Sequence, residues 1–163
     1  MHDIVRKVTS LADLEELKEL TSGIVEERCW EAYIGYADEL ILQIGEKIPY
    51  TYLRLAGKEH GAWTLCSCGT NWVLEAANQT LVNSEDALET IKQEIGAIKN
   101  TKIVLFEVTY PGLALIVSFD NNCVLKVLPT LQDDAFDLAY WQLFCPPDRA
   151  VLEAGPGSKW SYT

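Results

Sequence analysis

Leucines recur at helical spacing early in the chain, at Leu11, Leu14, Leu17 and Leu20, with Glu15, Glu16, Lys18 and Glu19 pointing away from them. Ser10 with an acid at Asp13 has the form of a helix start, and Gly23 marks the expected end. A second stripe, Leu88, Ile91, Ile95 and Ile98, opens after Asn83-Ser84-Glu85-Asp86 and stops before Asn100. Each helix has one apolar face, so both are expected to lie on something large and apolar.

Strand-like segments follow each helix. In the second half they are Ile103–Val108, Leu113–Phe119, Cys123–Leu128, Leu138–Phe144 and Ala150–Glu153. Tyr110-Pro111-Gly112, Asp120-Asn121-Asn122 and Cys145-Pro146-Pro147-Asp148 separate them. The first half reads alike: Cys29–Tyr36, Leu40–Ile44, a turn at Gly45-Glu46-Lys47, then Tyr50–Leu55, Ala62–Cys66 and Trp72–Ala76. The halves also match residue by residue. Ser10, Leu14, Glu15, Lys18, Ile24 and Tyr36 meet Ser84, Leu88, Glu89, Lys92, Ile98 and Tyr110. Trp63-x-Leu65 meets Trp141-x-Leu143, and Val73–Ala76 meets Val151–Ala154.

The pattern predicts one domain over residues 1–163 containing internal repeats 10–76 and 84–154. Its expected fold class is α+β: two tandem helix-plus-antiparallel-strand repeats packed as one pseudo-two-fold domain, with the helices on one side of the sheet. A single short meander leaves an apolar face or edge open, and a second copy can close it.

Composition adds a charge argument. Twenty-four acidic and thirteen basic side chains give −11, shared almost equally between the halves. Without a basic stripe the chain is not expected to bind nucleic acid, and anionic membrane surfaces are disfavoured. A basic protein partner is electrostatically welcome. No apolar run has the length of a membrane span, and Met1–Lys7 lacks the order of a secretory signal, so a soluble, cytoplasmic protein is expected. The odd set Cys29, Cys66, Cys68, Cys123 and Cys145 suits reduced thiols.

Candidate chemistry is thin. Cys66-x-Cys68 is one residue short of the usual zinc pair and has no second pair, so no metal and no cofactor is expected. Cys66 or Cys68 with His60 is the Cys–His combination to test, although a solvated loop histidine near buried thiols explains the residues as well. Asp133, Asp134 and Asp137, like Asp38 and Glu39, read as solvated loop charge rather than an acid–base pair, and no catalytic residue is assigned. Gly155 to Trp160 resembles a phosphate loop only superficially, and is expected to be a turn that folds Trp160 and Tyr162 back onto the body. Trp72 and Trp160 lack a counterpart in the residue matches. With Asp133, Asp134 and Asp137 they form the candidate partner-binding set, although core packing remains the leading use for both rings.

Leu40–Gly45, Gly61-Ala62-Trp63-Thr64-Leu65 and Trp72-Val73-Leu74 resemble segments of small uncharacterised bacterial proteins in which short alternating strands precede a W-x-L strand. Some of those proteins are grouped with the immunity proteins of toxin systems. The resemblance implies binding without chemistry and carries no site residue. The expected function is a non-enzymatic binding protein, of the kind that neutralises a basic protein partner. The alternatives are a small-molecule-binding protein or enzyme with a cleft between the repeats, and a structural subunit of a homo-oligomer.

Overall fold

The computed structural model describes residues 3–130 and 137–163. Twelve strands dominate it: β1 (Ile4–Lys7), β2 (Arg28–Ile34), β3 (Leu40–Pro49), β4 (Glu59–Cys66), β5 (Trp72–Ala76), β6 (Gln79–Asn83), β7 (Thr101–Val108), β8 (Leu115–Phe119), β9 (Cys123–Val127), β10 (Trp141–Cys145), β11 (Ala150–Gly155) and β12 (Lys159–Tyr162). They form a sheet of order β1-β12-β11-β10-β4-β3-β2-β7-β8-β9-β5-β6, antiparallel at every described pairing. The helices are short: α1 spans Glu15–Thr21 and α2 spans Leu88–Glu94, each extended by 3-10 turns.

This overturns the expected α+β class. The chain is mostly antiparallel sheet, not a pair of tandem helix-plus-strand units. The leucine stripe marks a face to be buried, and it fixes neither the length nor the kind of helix. Leu11–Leu14 and Ser22–Ile24 are 3-10 turns, which leaves α1 two turns long. The strand order also rules out side-by-side packing of closed units. From the β2–β7 junction one run reads β2-β3-β4 and the other β7-β8-β9. The first run is continued by β10, β11 and β12, and the second by β5 and β6, so each half of the chain completes the other half's run.

Alternation makes the sheet two-sided. β8, β9, β10 and β11 each bury every second residue, which gives one apolar face. A flat sheet of this width would expose that face. Here it curls: β10 stands four places from β7 in the order, yet the Trp141 ring meets the Phe106 ring edge-on at 6.3 Å. The Trp141 indole N–H donates to Leu113 O at 3.0 Å. The first helical segment covers the inner face with Leu14, Leu17 and Ile24, and the second with Ile91, Ile95 and Ile98. The Trp160 indole N–H donates to Asp13 O at 2.9 Å, tying β12 to the first segment. One continuous core results.

Junction strands β2 and β7 pair only at Arg28–Lys102 and Cys29–Thr101. Further backbone bonds close the joint: Asn100 N donates to Cys29 O at 2.6 Å and Ile103 N to Glu27 O at 2.9 Å. Cys29, Ile103, Ile24 and Ile98 are buried around it, so the joint is packed with apolar groups. No helix among the described residues is long and apolar enough to cross a membrane.

Candidate functional site

The outer face of the sheet carries one concentration of buried polar groups, over β3, β4 and β10. Pairing aligns Gln43 with Thr64 and Thr64 with Phe144, so the three form a row across the strands. Gln43 and Thr64 are buried although they belong to the outward-facing set. Arg149 explains part of this. It sits in the turn between β10 and β11 at φ 58 and reaches back over the row, its guanidinium carbon 4.8 Å from the centre of the Phe144 ring.

A β-bulge in β3 shapes the rest. Gly45, at φ 84, opens a register shift between Ile44 and Lys47. Gly61 passes so close to β3 that a Cβ there would lie 2.4 Å from Ile44 N and 2.5 Å from Ile44 O. Only glycine fits. Its N–H is satisfied by a side chain, donating to Gln43 Oε1 at 2.8 Å.

The hydrogen bonds then have a fixed direction. Arg149 Nη1 donates to Thr64 Oγ1 at 2.9 Å, and the Thr64 hydroxyl donates to Gln43 Oε1 at 2.7 Å. Gln43 Nε2 donates to the Tyr33 hydroxyl at 3.2 Å. With Oε1 accepting twice, the amide orientation of Gln43 is settled by its neighbours. The Tyr33 hydroxyl, as acceptor, keeps its own hydrogen for a group outside the network.

His60 is buried at the end of the same face, its ring 4.8 Å from that of Tyr50. Nδ1 lies 2.7 Å from Gly61 O, which assigns the proton to Nδ1. Arg149 Nη1 stands 3.1 Å from the same nitrogen, but its hydrogens are directed to Thr64 Oγ1 and to Gly61 O at 3.3 Å. Burial lowers the pKa of the Arg149 guanidinium, and the groups that offset this are the phenols of Tyr50 and Tyr33. No ion pair to Arg149 occurs among the described residues.

Beside this network lies an open groove of ≈ 600 Å³. Tyr33 and Gln43 line it together with Trp30, Lys58, Glu59 and the ion pair Lys99–Glu31 at 2.8 Å. Trp30 is fixed by its indole N–H on Gly45 O at 3.0 Å, and Lys47 Nζ sits 4.8 Å from its ring centre. At the end of β3 the chain leaves the sheet as a loop in which Tyr52 and Leu53 are 71% and 94% exposed.

His60 apart, the residues singled out from sequence fall elsewhere. Trp72 and Trp160 are core residues, 2% and 1% exposed. Trp72 opens β5, the fourth strand after the first helical segment, as Trp141 opens β10, the fourth after the second. By strand order Trp72, rather than Trp63, is the positional equal of Trp141. Asp137 is exposed with φ 53, and with Trp160 it borders a depression of ≈ 300 Å³ also lined by Glu153 and Lys159. Asp133 and Asp134 lie outside the described residues. The turn at Gly155 to Ser158 returns the chain as expected, seating Trp160 in the core.

Cys66 and His60 end up at opposite ends of β4, about 20 Å apart at strand rise, so they form no nucleophile–base pair. The Cys66 thiol donates to Glu39 Oε2 at 3.0 Å. The Cys68 thiol is pushed far up by its bond to Cys66 and by burial, which keeps it protonated. No group of three or more metal-binding side chains occurs among the described residues.

Arg149, Gln43, Thr64 and Tyr33 were not singled out from sequence. A signal existed: Gln43 and Thr64 interrupt otherwise apolar strands, and a buried polar residue must find partners. Arg149 sits in a Pro-rich turn, and nothing local announces that it folds back over β10. Comparison with family models, with curated proteins and with solved structures yields no match to this chain.

Proposed function

We propose that the chain is a non-enzymatic binding protein and that it meets its partner with the outer face of β2, β3, β4 and β10. The observation that carries this reading is the open groove of ≈ 600 Å³ over a pre-formed hydrogen-bond network; Tyr52 and Leu53 are exposed in the loop that follows β3. An ordered polar floor bordered by Trp30 and Tyr33, on a molecule that also exposes large apolar side chains, suits a protein interface, with aromatic anchors inside and a polar rim outside. The charge of −11 adds long-range attraction for a basic protein, which raises the encounter rate at low salt. That is the behaviour expected of an immunity-type neutraliser. Five free thiols favour a reducing compartment, the cytoplasm, as its place of action.

A cleft between the repeats receives less support. The β2–β7 joint is packed with apolar groups, and the depression bordered by Ile34, Trp72 and Ile91 holds only ≈ 170 Å³, below the range of ordinary ligand sites.

The test is affinity capture from lysate of the native source, with wild type, Tyr33→Glu and Val104→Ser as parallel baits. Val104 is exposed on the other run of the sheet. The expected result is one stoichiometric basic protein that leaves as salt rises, is absent from the Tyr33→Glu bait and is kept by the Val104→Ser bait. An empty wild-type bait, or a captured protein indifferent to Tyr33, would overturn the reading.

A further inference from the structure

Arg149 uses only part of its hydrogen-bonding capacity. Both Nη1 hydrogens are committed, to Thr64 Oγ1 at 2.9 Å and Gly61 O at 3.3 Å, and Phe144 supports one face of the guanidinium. Nε and Nη2 make no hydrogen bond within the described residues, and no carboxylate pairs with the group there. In a chain with twenty-four acidic side chains a carboxylate partner was easy to supply. A half-buried cation without one has lost hydration and gained little in return. Asp148, next in sequence, acts instead on Tyr162, whose phenol is raised first by burial and then by Cys145 and Asp148.

We propose that Arg149, held in plane by Thr64, Gly61 and Phe144, is the anchor of a carboxylate-binding site. The guanidinium presents Nε–H and an Nη2–H side by side, and two parallel donors match the two oxygens of a carboxylate. A phosphate dianion fits less well, because the surrounding chain carries −11 and repels a second negative charge more. Phe144 and Tyr50 beside the site favour a carboxylate borne on a flat apolar body. This deepens the binding reading and rests on the same face. Net charge steers a basic partner in, and Arg149 reads one acidic group, such as a chain-terminal carboxylate, once it arrives.

The test uses purified full-length protein and no partner. The Arg149 Nε–Hε and Trp30 indole signals are followed by NMR while sodium benzoate, sodium phosphate, or N-acetyl-Gly-Phe with a free or an amidated C-terminus is added at constant ionic strength. The expected result is saturation with benzoate at a Kd of about 1 mM, the scale for a single anchored small ligand. The free-acid peptide should bind at least as well, and the amidated one should not. Tighter binding of the peptide than of benzoate would identify a chain terminus as the source, and the reverse order a small carboxylate. Arg149→Lys should weaken benzoate about tenfold or more, and Phe144→Leu, which keeps the cation but frees its plane, about threefold. No saturation, an equal response to phosphate, or unchanged binding in Arg149→Lys would remove the site. A protein captured through Tyr33 alongside a silent benzoate titration would leave the binding reading standing without this anchor.

Discussion

Cys29 lies where β2 meets β7, and burial there pushes its thiol pKa up to about 12 from an ordinary value of 9.0. Cys145 at the end of β10 is raised to about 12 for the same reason. A folded-state pKa above the unfolded one means that the folded chain holds the proton more tightly. The associated stability is complete below about pH 9 and is lost as pH climbs toward about 12. Denaturation midpoints measured across that window should fall, and Cys29→Ala should flatten the fall. A midpoint that stays level, or a slope untouched by Cys29→Ala, would contradict the assignment. The same residue scale shows what sequence conveys and what it does not. Burial of Cys29, Cys66, Cys123 and Cys145 was legible because most of the cysteines stand in apolar segments, whereas Cys68 is only partly buried. Arg149 was not legible, because its role depends on which strand lies beneath its turn.

Among the elements, β3 shows how a correct local signal acquires a different use. Gly45-Glu46-Lys47 has turn composition, and Gly45 does adopt a left-handed φ of 84. The same conformation serves a bulge, so the strand continues from Leu40 to Pro49. The bulge brings Gly61 against Ile44, and Gly61→Ala should cost about 3 kcal/mol or more, since backbone atoms cannot make room. Thermal or urea unfolding checks this, with Gly69→Ala as comparison because open space surrounds Gly69. Equal stability of the two variants would show that β3 can yield. Regular alternation made β8 to β11 readable in outline. β1, β6 and β12 escaped because they are short and their residues alternate weakly. Tyr50–Leu55 has strand composition, but Tyr52 and Leu53 face solvent in a loop with one 3-10 turn.

For the whole molecule, β4 takes its outer neighbour from β10, and β9 takes its neighbour from β5. Neither half of the chain therefore holds a complete set of its own pairings. Fragments 1–83 and 84–163 should each lack dispersed amide signals and a cooperative melt when alone, and should recover both when mixed. A first-half fragment that folds by itself would show that the exchanged strands are dispensable. The repeated W-x-L segments that suggest two equivalent halves fall on strands of different rank, Trp63 on the third strand after its helical segment and Trp141 on the fourth. Which half supplies which strand could not be read from sequence, since alternation marks a face and leaves the neighbour unspecified.

Vectorial synthesis meets this topology at a disadvantage. Among the described strands β1 is translated first, yet its partner β12 is translated last. The free edge of β4 likewise waits for β10. A growing chain on the ribosome thus carries an unpaired, apolar sheet border until β10 has emerged. Nascent-chain chaperones and crowded polysomes, rather than the finished protein, are where its aggregation risk is concentrated.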